Sequence, residues 1–216
     1  MRELGLILAL VAIVLGVAAR EPRFLSITNV RQILVSVAIL AVVAAGQTLV
    51  ILTRNVDLSV ASIVGLVAFV VRDLLADRPG LGVAGALAIG CALGMVLGAL
   101  NGALVTVGEV PAIVATLGTM YVYRGLDFWY AGGRQVTAGD TPDAFRQLAR
   151  SQPLGIPTPV LIAAAVVLVT GYLLRVARFG RYLYAVGSNP EAARLAGLPR
   201  DRIVFGAFVA SGLLCG

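Results

Sequence analysis

The chain has no lysine and no histidine, so all 17 of its basic residues are arginine. Those two absences exclude a phosphate-binding loop with its lysine, a Schiff base, a histidine general base and a histidine metal site. No nucleophile–base set can be assembled from what remains, which argues against an enzyme, a cofactor of its own or a metal. Any energy from nucleotide hydrolysis has to come from another polypeptide. Charge of either sign is scarce, at 13% of the 216 residues. The net charge of +6 is dispersed along the chain and does not form the basic face that nucleic acid requires. Cys91 and Cys215 lie far apart in apolar runs and read as small core residues, neither a disulfide nor a metal pair.

Apolar residues are abundant: 59% of the chain is hydrophobic, with a mean hydropathy of +0.96. A soluble domain is near half apolar, so this composition belongs in a lipid bilayer. Uncharged runs at 33–53 and 79–108 are about 21 and 30 residues long, and either can cross a hydrocarbon core of ~30 Å. Residues 4–19 are shorter, roughly 16, and the runs 58–71 and 110–123 have only about 14 each between charges. The last two cross only where polar residues at their ends lie in protein or a wet cavity. The expected fold is an all-α, polytopic transmembrane bundle forming a single domain over 1–216. Its six complete spans are 4–19, 33–53, 58–75, 81–107, 111–130 and 159–174, and a seventh starts at 203–216. Residues 2–19 also have the outline of a signal peptide, but Glu3 and the later spans favour a retained first span.

Counting crossings from a cytoplasmic N-terminus places residues 132–158 outside as a loop and 178–201 in the cytoplasm. Arg175, Arg178, Arg181, Arg194, Arg200 and Arg202 concentrate on that inner side, although Arg20, Arg23 and Arg31 fall outside. In the fourth span Gly90, Gly94, Gly98 and Gly102 recur every four residues. That spacing makes a bare ridge on one helix face, where another backbone can approach closely within the bundle or across a dimer interface. Asp57 is a natural N-cap for a helix starting at Leu58. Around it, "TRNVDLSVAS" is either a capped turn or a break in the membrane zone facing a permeation path. Asn55, Asp57, Ser59, Asn101, Thr116 and Tyr121 are the candidates for that path. Arg124 and Asp127, three apart, are placed to neutralise each other. In the outer loop, Thr141, Pro142 and Asp143 have helix-start grammar, and Phe145 and Leu148 share a face that suits a short helix on the membrane surface.

Between long apolar runs stands "GSNPEAARLAGLPRD", residues 187–201. Asn189 is a preferred N-cap, Pro190 suits the first helical position, Glu191 complements the helix dipole, and Gly197 stops the helix before Pro199. The helix spans about seven residues, roughly 10 Å, too short to cross anything. Its alanines leave little side-chain bulk, which suits insertion into a groove on another protein; a capped loop helix without a partner is the plainer alternative.

"NPEAARLAG", preceded by "RFGRYLYAVG", resembles the cytoplasmic coupling segment of ABC-importer permeases of the ribose, xylose and rhamnose type. "QTLVILTRNVDLSVAS", "GALNGALV" and "VPAIVATLGTMYVYRGLDFWYAGG" match in the same order, over roughly residues 24–216. The resemblance implies the permease subunit of an ATP-driven sugar importer in a bacterial inner membrane. It implies ABC ATPase subunits, a periplasmic or lipid-anchored solute-binding protein and a second permease subunit as partners, with ATP used by the ATPase. It further implies that Asn189, Pro190, Glu191, Ala192, Ala193 and Gly197 form the loop that docks on the ATPase. One departure stands out: Arg54-Asn55 replaces the family's usual glycine pair before the acidic residue. Family permeases have about ten spans, so the chain reads as C-terminally truncated. The alternatives are an ion-coupled secondary transporter, which needs a buried acidic relay, and a permease of the same family for a nucleoside, amino acid or furanose signal.

Overall fold

The computed structural model describes residues 2–134 and 143–216, and the described residues form helices and turns without a strand. The helices are α1 (Arg2–Arg20), α2 (Ile27–Ile51), α3 (Val60–Asp77), α4 (Gly82–Thr106), α5 (Ala112–Ala131), α6 (Asp143–Arg150), α7 (Thr158–Val176), α8 (Arg178–Ser188), α9 (Pro190–Leu195) and α10 (Arg200–Cys215). By length and composition α2, α4 and α7 can cross a bilayer. Large apolar side chains cover the outside of the bundle, for instance Leu8, Leu40, Val96, Leu168 and Val169. A surface so apolar is stable only against lipid, and the protein is a helical membrane bundle.

Local chemistry accounts for most helix ends. Ser26 opens α2, its hydroxyl accepting from the Asn29 amide at 3.3 Å. Gly132 closes α5 in the left-handed conformation, with φ 58°. Helix α3 begins at Val60, two residues later than expected. Asp57 does not occupy its N-cap position, which belongs to Ser59; the Asp57 carboxylate instead accepts from the Ser59 amide at 2.9 Å. The hydrophobic run at 58–75 hid this, because Leu58 faces outward and has no helical role.

Helix α10 is the centre of the bundle. It packs against α4 on one side and α2 on the other, and Ala207, Phe208 and Ser211 are wholly buried along it. The glycine ridge of α4 lies against this helix, not at the protomer's outer surface. A Cβ at Gly90 would come within 2.6 Å of the Gly216 carbonyl oxygen, and one at Gly94 within 2.9 Å of Gly216 Cα. Gly212 and Gly216 answer from the other side, so two bare faces meet backbone to backbone. A segment that reads in sequence as the start of an outer span is thus the most enclosed element.

Two further expectations change. Arg124 and Asp127 form no ion pair within 4.0 Å. Arg124 turns outward, while Asp127 turns toward α3, where its Oδ2 lies 3.4 Å from a Cβ built on Gly65. Among the buried carboxylates Asp73 is ion-paired, held by Arg72 beside it and by Arg134 at 2.8 Å; Arg134 also lies over the Phe69 ring. The apolar face expected on α6 is turned onto the bundle through Phe145. That side chain packs into the cluster of Ile63, Leu66 and Val67. The proposed caps Thr141 and Pro142 lie outside the described residues.

Candidate translocation and docking sites

A polar cluster is enclosed where the α2–α3 turn meets α4 and α5. Asp57 is 1% exposed, and Ser59, Asn101 and Thr116 are fully buried. The Asp57 carboxylate accepts from the Ser59 hydroxyl at 2.7 Å, and the Asn101 amide donates to Ser59 Oγ at 2.7 Å and to the carboxylate at 3.4 Å. Tyr123 donates to the Leu97 carbonyl at 2.9 Å and lies 3.4 Å from Asn101 Oδ1. Gln47 on α2 donates to the Asp57 carbonyl at 2.6 Å, and Thr116 to the Val56 carbonyl at 3.3 Å. Four segments therefore meet through side chains that lipid could not solvate, each satisfied by the others. Gln47 Oε1 is the exception, buried without a partner among the described residues.

Of the six path candidates, Asp57, Ser59, Asn101 and Thr116 come together here. Asn55 stands apart, its amide turned back to Thr53, and lines a cleft of about 380 Å³ with Thr106, Glu109 and Arg200. Tyr121 lies elsewhere, 66% exposed on α5. Five residues past Thr116 is about 140° round the helix, whereas Tyr123, seven past, returns to the same face. That spacing was available in the sequence and would have selected Tyr123.

The segment expected to dock begins after a sharp reversal. The chain leaves α7 at Ala177 and turns into α8, whose Leu183 and Val186 are wholly buried. Gly180 permits the turn: a Cβ there would lie 2.5 Å from the Leu174 carbonyl oxygen. Helix α9 is a single capped unit. Asn189 Oδ1 accepts from the Ala192 amide at 3.0 Å, and Pro190 takes the first position. At the far end Gly197, with φ 77°, allows its own amide to reach Arg194 O and that of Leu198 to reach Ala193 O, both at 3.0 Å. These two bonds are a Schellman closure, so Gly197 shapes the segment.

The outward face of α9 carries Glu191, Ala192, Arg194 and Leu195, with Leu195 86% exposed. Ala193 is the correction. It is 5% exposed and belongs to the cluster with Leu183, Val186, Ile203 and Val204, so it seats α9 on the bundle and is not on its open face. A single helical turn has one inward position, and the alanine pattern did not mark which alanine holds it. Leu195 carries the opposite surprise, a large apolar side chain left uncovered at the tip.

The family model described as branched-chain amino acid transport system / permease component matches residues 29–216. The ribose import permease protein RbsC of Escherichia coli K12 is 38% identical over 210 residues, covering 96% of this chain and 65% of that protein. The autoinducer 2 import system permease protein LsrC of Klebsiella pneumoniae is 39% identical over 213 residues, 99% of this chain and 61% of that one. The ribose import permease of Bacillus subtilis is 36% identical over 214 residues, 99% of this chain and 66% of its own length. The chain thus spans a little under two thirds of these relatives. No solved structure matches it significantly.

Proposed function

Because the chain belongs to the family of branched-chain amino acid transport system permease components, we propose that it is the membrane subunit of an ATP-driven importer of a small sugar. The observation that carries this reading is α9, a rigid capped turn presenting an uncovered leucine beside Glu191 and Arg194. Such a knob fits a groove on a separate ATPase, which would use the ATP. A second permease copy and a soluble binding protein complete the assembly in this reading, set in a bacterial inner membrane. Sugar released at the outer loops passes the enclosed polar cluster while ATP-driven movement of the docked α9 reorients the helices. Gln47 Oε1 supplies an unused acceptor for a sugar hydroxyl, and a site of few such groups holds its passenger weakly enough to release it. Relatives carry the names of ribose and autoinducer 2 importers, and we assign a pentose or related small furanose as substrate. An ion-coupled carrier would need a mobile acidic relay, whereas Asp57 is engaged by Ser59 and Asn101.

Leu195→Arg in the full-length protein tests the docking. The side chain is free in the isolated protein, so insertion and melting temperature should be unchanged. In the complex it would bury an unpaired charge at a cost of about 3–5 kcal/mol, a loss of roughly 100-fold or more in affinity. Co-purification with the ATPase should disappear; undiminished co-purification would mean that α9 is an ordinary surface turn.

Orientation is tested separately. With Cys91 and Cys215 replaced by alanine, a cysteine at the exposed Ser188 should resist an impermeant thiol reagent added to intact cells and react after lysis. Rapid labelling from outside would invert the proposed topology.

A further inference from the structure

The turn between α2 and α3 faces two ways. On its inner side stand Asp57 and Ser59, tied to α4 through Asn101. On its outer side Arg54 reaches α8. Its Nε donates to the Gly187 carbonyl and its Nη2 to the Ser188 carbonyl at 2.7 Å. Those carbonyls end α8, where no intrahelical amide remains to satisfy them and the helix dipole is negative. The planar guanidinium engages both at once. The two backbones are also in contact, since a Cβ on Gly187 would come within 3.0 Å of the Leu52 carbonyl carbon.

Arg54 is an unusual residue for its place. Its φ is 63°, a left-handed conformation that costs a residue with a Cβ roughly 1–2 kcal/mol and glycine nothing. A strained position kept by a long side chain is one where the side chain has a task. The departure noted in the sequence, Arg54-Asn55 in place of a glycine pair, therefore keeps the glycine-like turn and adds a two-pronged grip. That grip closes on the junction with α9, because Asn189, next after Ser188, is the cap of α9. Only Asn55 and Val56 separate the grip from Asp57, and the Val56 carbonyl is itself held by Thr116.

We propose that Arg54 is a positioning residue for transport, a latch that makes the α8–α9 junction and the 52–59 turn move as one body. Displacement of a docked α9 is thereby delivered to the buried Asp57–Asn101 cluster. A second path runs from α9 through Ala193 onto α10, and the latch is separable from it. The inference rests on the permease reading.

The test uses the full-length permease with its ATPase in lipid nanodiscs, compared nucleotide-free and trapped with ATP and vanadate. In a background without native cysteines, spin labels are placed in pairs at Leu58 and Ser188, and at Ser188 and Leu168 on α7. In the parent, the Ser188–Leu168 distance should change by about 2 Å or more, the scale of helix shifts in switching proteins. The Leu58–Ser188 distance should stay constant. Arg54→Gly relieves the strained φ while removing the side chain that carries the guanidinium, so it should fold and still bind the ATPase. In it the Leu58–Ser188 distance should become nucleotide-dependent, and Arg54→Lys, which keeps a cationic donor group but not the planar fork, should restore part of the constancy. A merely structural role would alter yield or melting without creating that nucleotide dependence. The latch is refuted if Arg54→Gly keeps the Leu58–Ser188 distance fixed, or if that distance already changes in the parent. No movement of Ser188 relative to Leu168 in the parent would instead sink the docking reading, and the latch with it.

Discussion

A full-length form carrying Gly98→Leu is expected to accumulate at a small fraction of the parental yield and to elute from detergent as aggregate. At Gly98 the α4 and α10 backbones are so close that even a Cβ would lie 3.0 Å from Gly212 Cα, and closer still to the Phe208 carbonyl oxygen. Overpacking a core typically costs about 1–3 kcal/mol, when a side chain can change rotamer to make room. Here the obstacles are backbone atoms of the central helix, which move only if the helix moves. The penalty therefore belongs at or beyond the top of that range, against a total stability of about 5–15 kcal/mol. Gly171→Leu on α7 is the matched control, since a Cβ there meets nothing within 4 Å. Size-exclusion profiles of the two variants beside the parent decide the matter. Parental yield from Gly98→Leu would show that α4 and α10 do not pack as described.

Asn101→Leu should be nearly as damaging by a different route. The substitution keeps the branched shape and the number of heavy atoms but removes the donor to Ser59 Oγ and Asp57 and the nearby acceptor for Tyr123. Each orphaned buried group costs about 1–3 kcal/mol, and a charged one more. With about 2–4 °C of Tm for each kcal/mol in a chain of this size, Tm should fall by roughly 5–10 °C. Asp57 would remain in an enclosed site with Ser59 alone, which favours water entry or displacement of the turn, so transport should fail in molecules that still insert. Parental Tm for Asn101→Leu, measured in detergent, would show that the cluster is not the joint between the turn and α4.

The class of fold was legible because it follows from quantities that do not depend on neighbours. Long uncharged runs and the scarcity of charge between them permit little besides helices in lipid. Helix ends were legible where a single side chain makes them, as at Ser26 or Asn189, whose hydrogen bonds span only three residues. The turn at Asp57 was half legible. Its acid is local chemistry, but the start of α3 was set by the burial of Ser59 beneath Asn101, a residue 42 positions away.

Spacing along a helix says which residues share a face, yet not which way the face points. By itself the sequence determined a membrane-embedded helical chain, a bare glycine face on α4 and a capped turn at 189–197. Only the tertiary structure decided that the glycine face meets α10 and that Ala193 turns inward while Leu195 stands out. The rotation of each helix about its axis is fixed by packing against all its neighbours at once, through contacts far apart in the chain. Arg54 is the clearest instance: its two acceptors lie 133 and 134 residues away, and no local pattern names them.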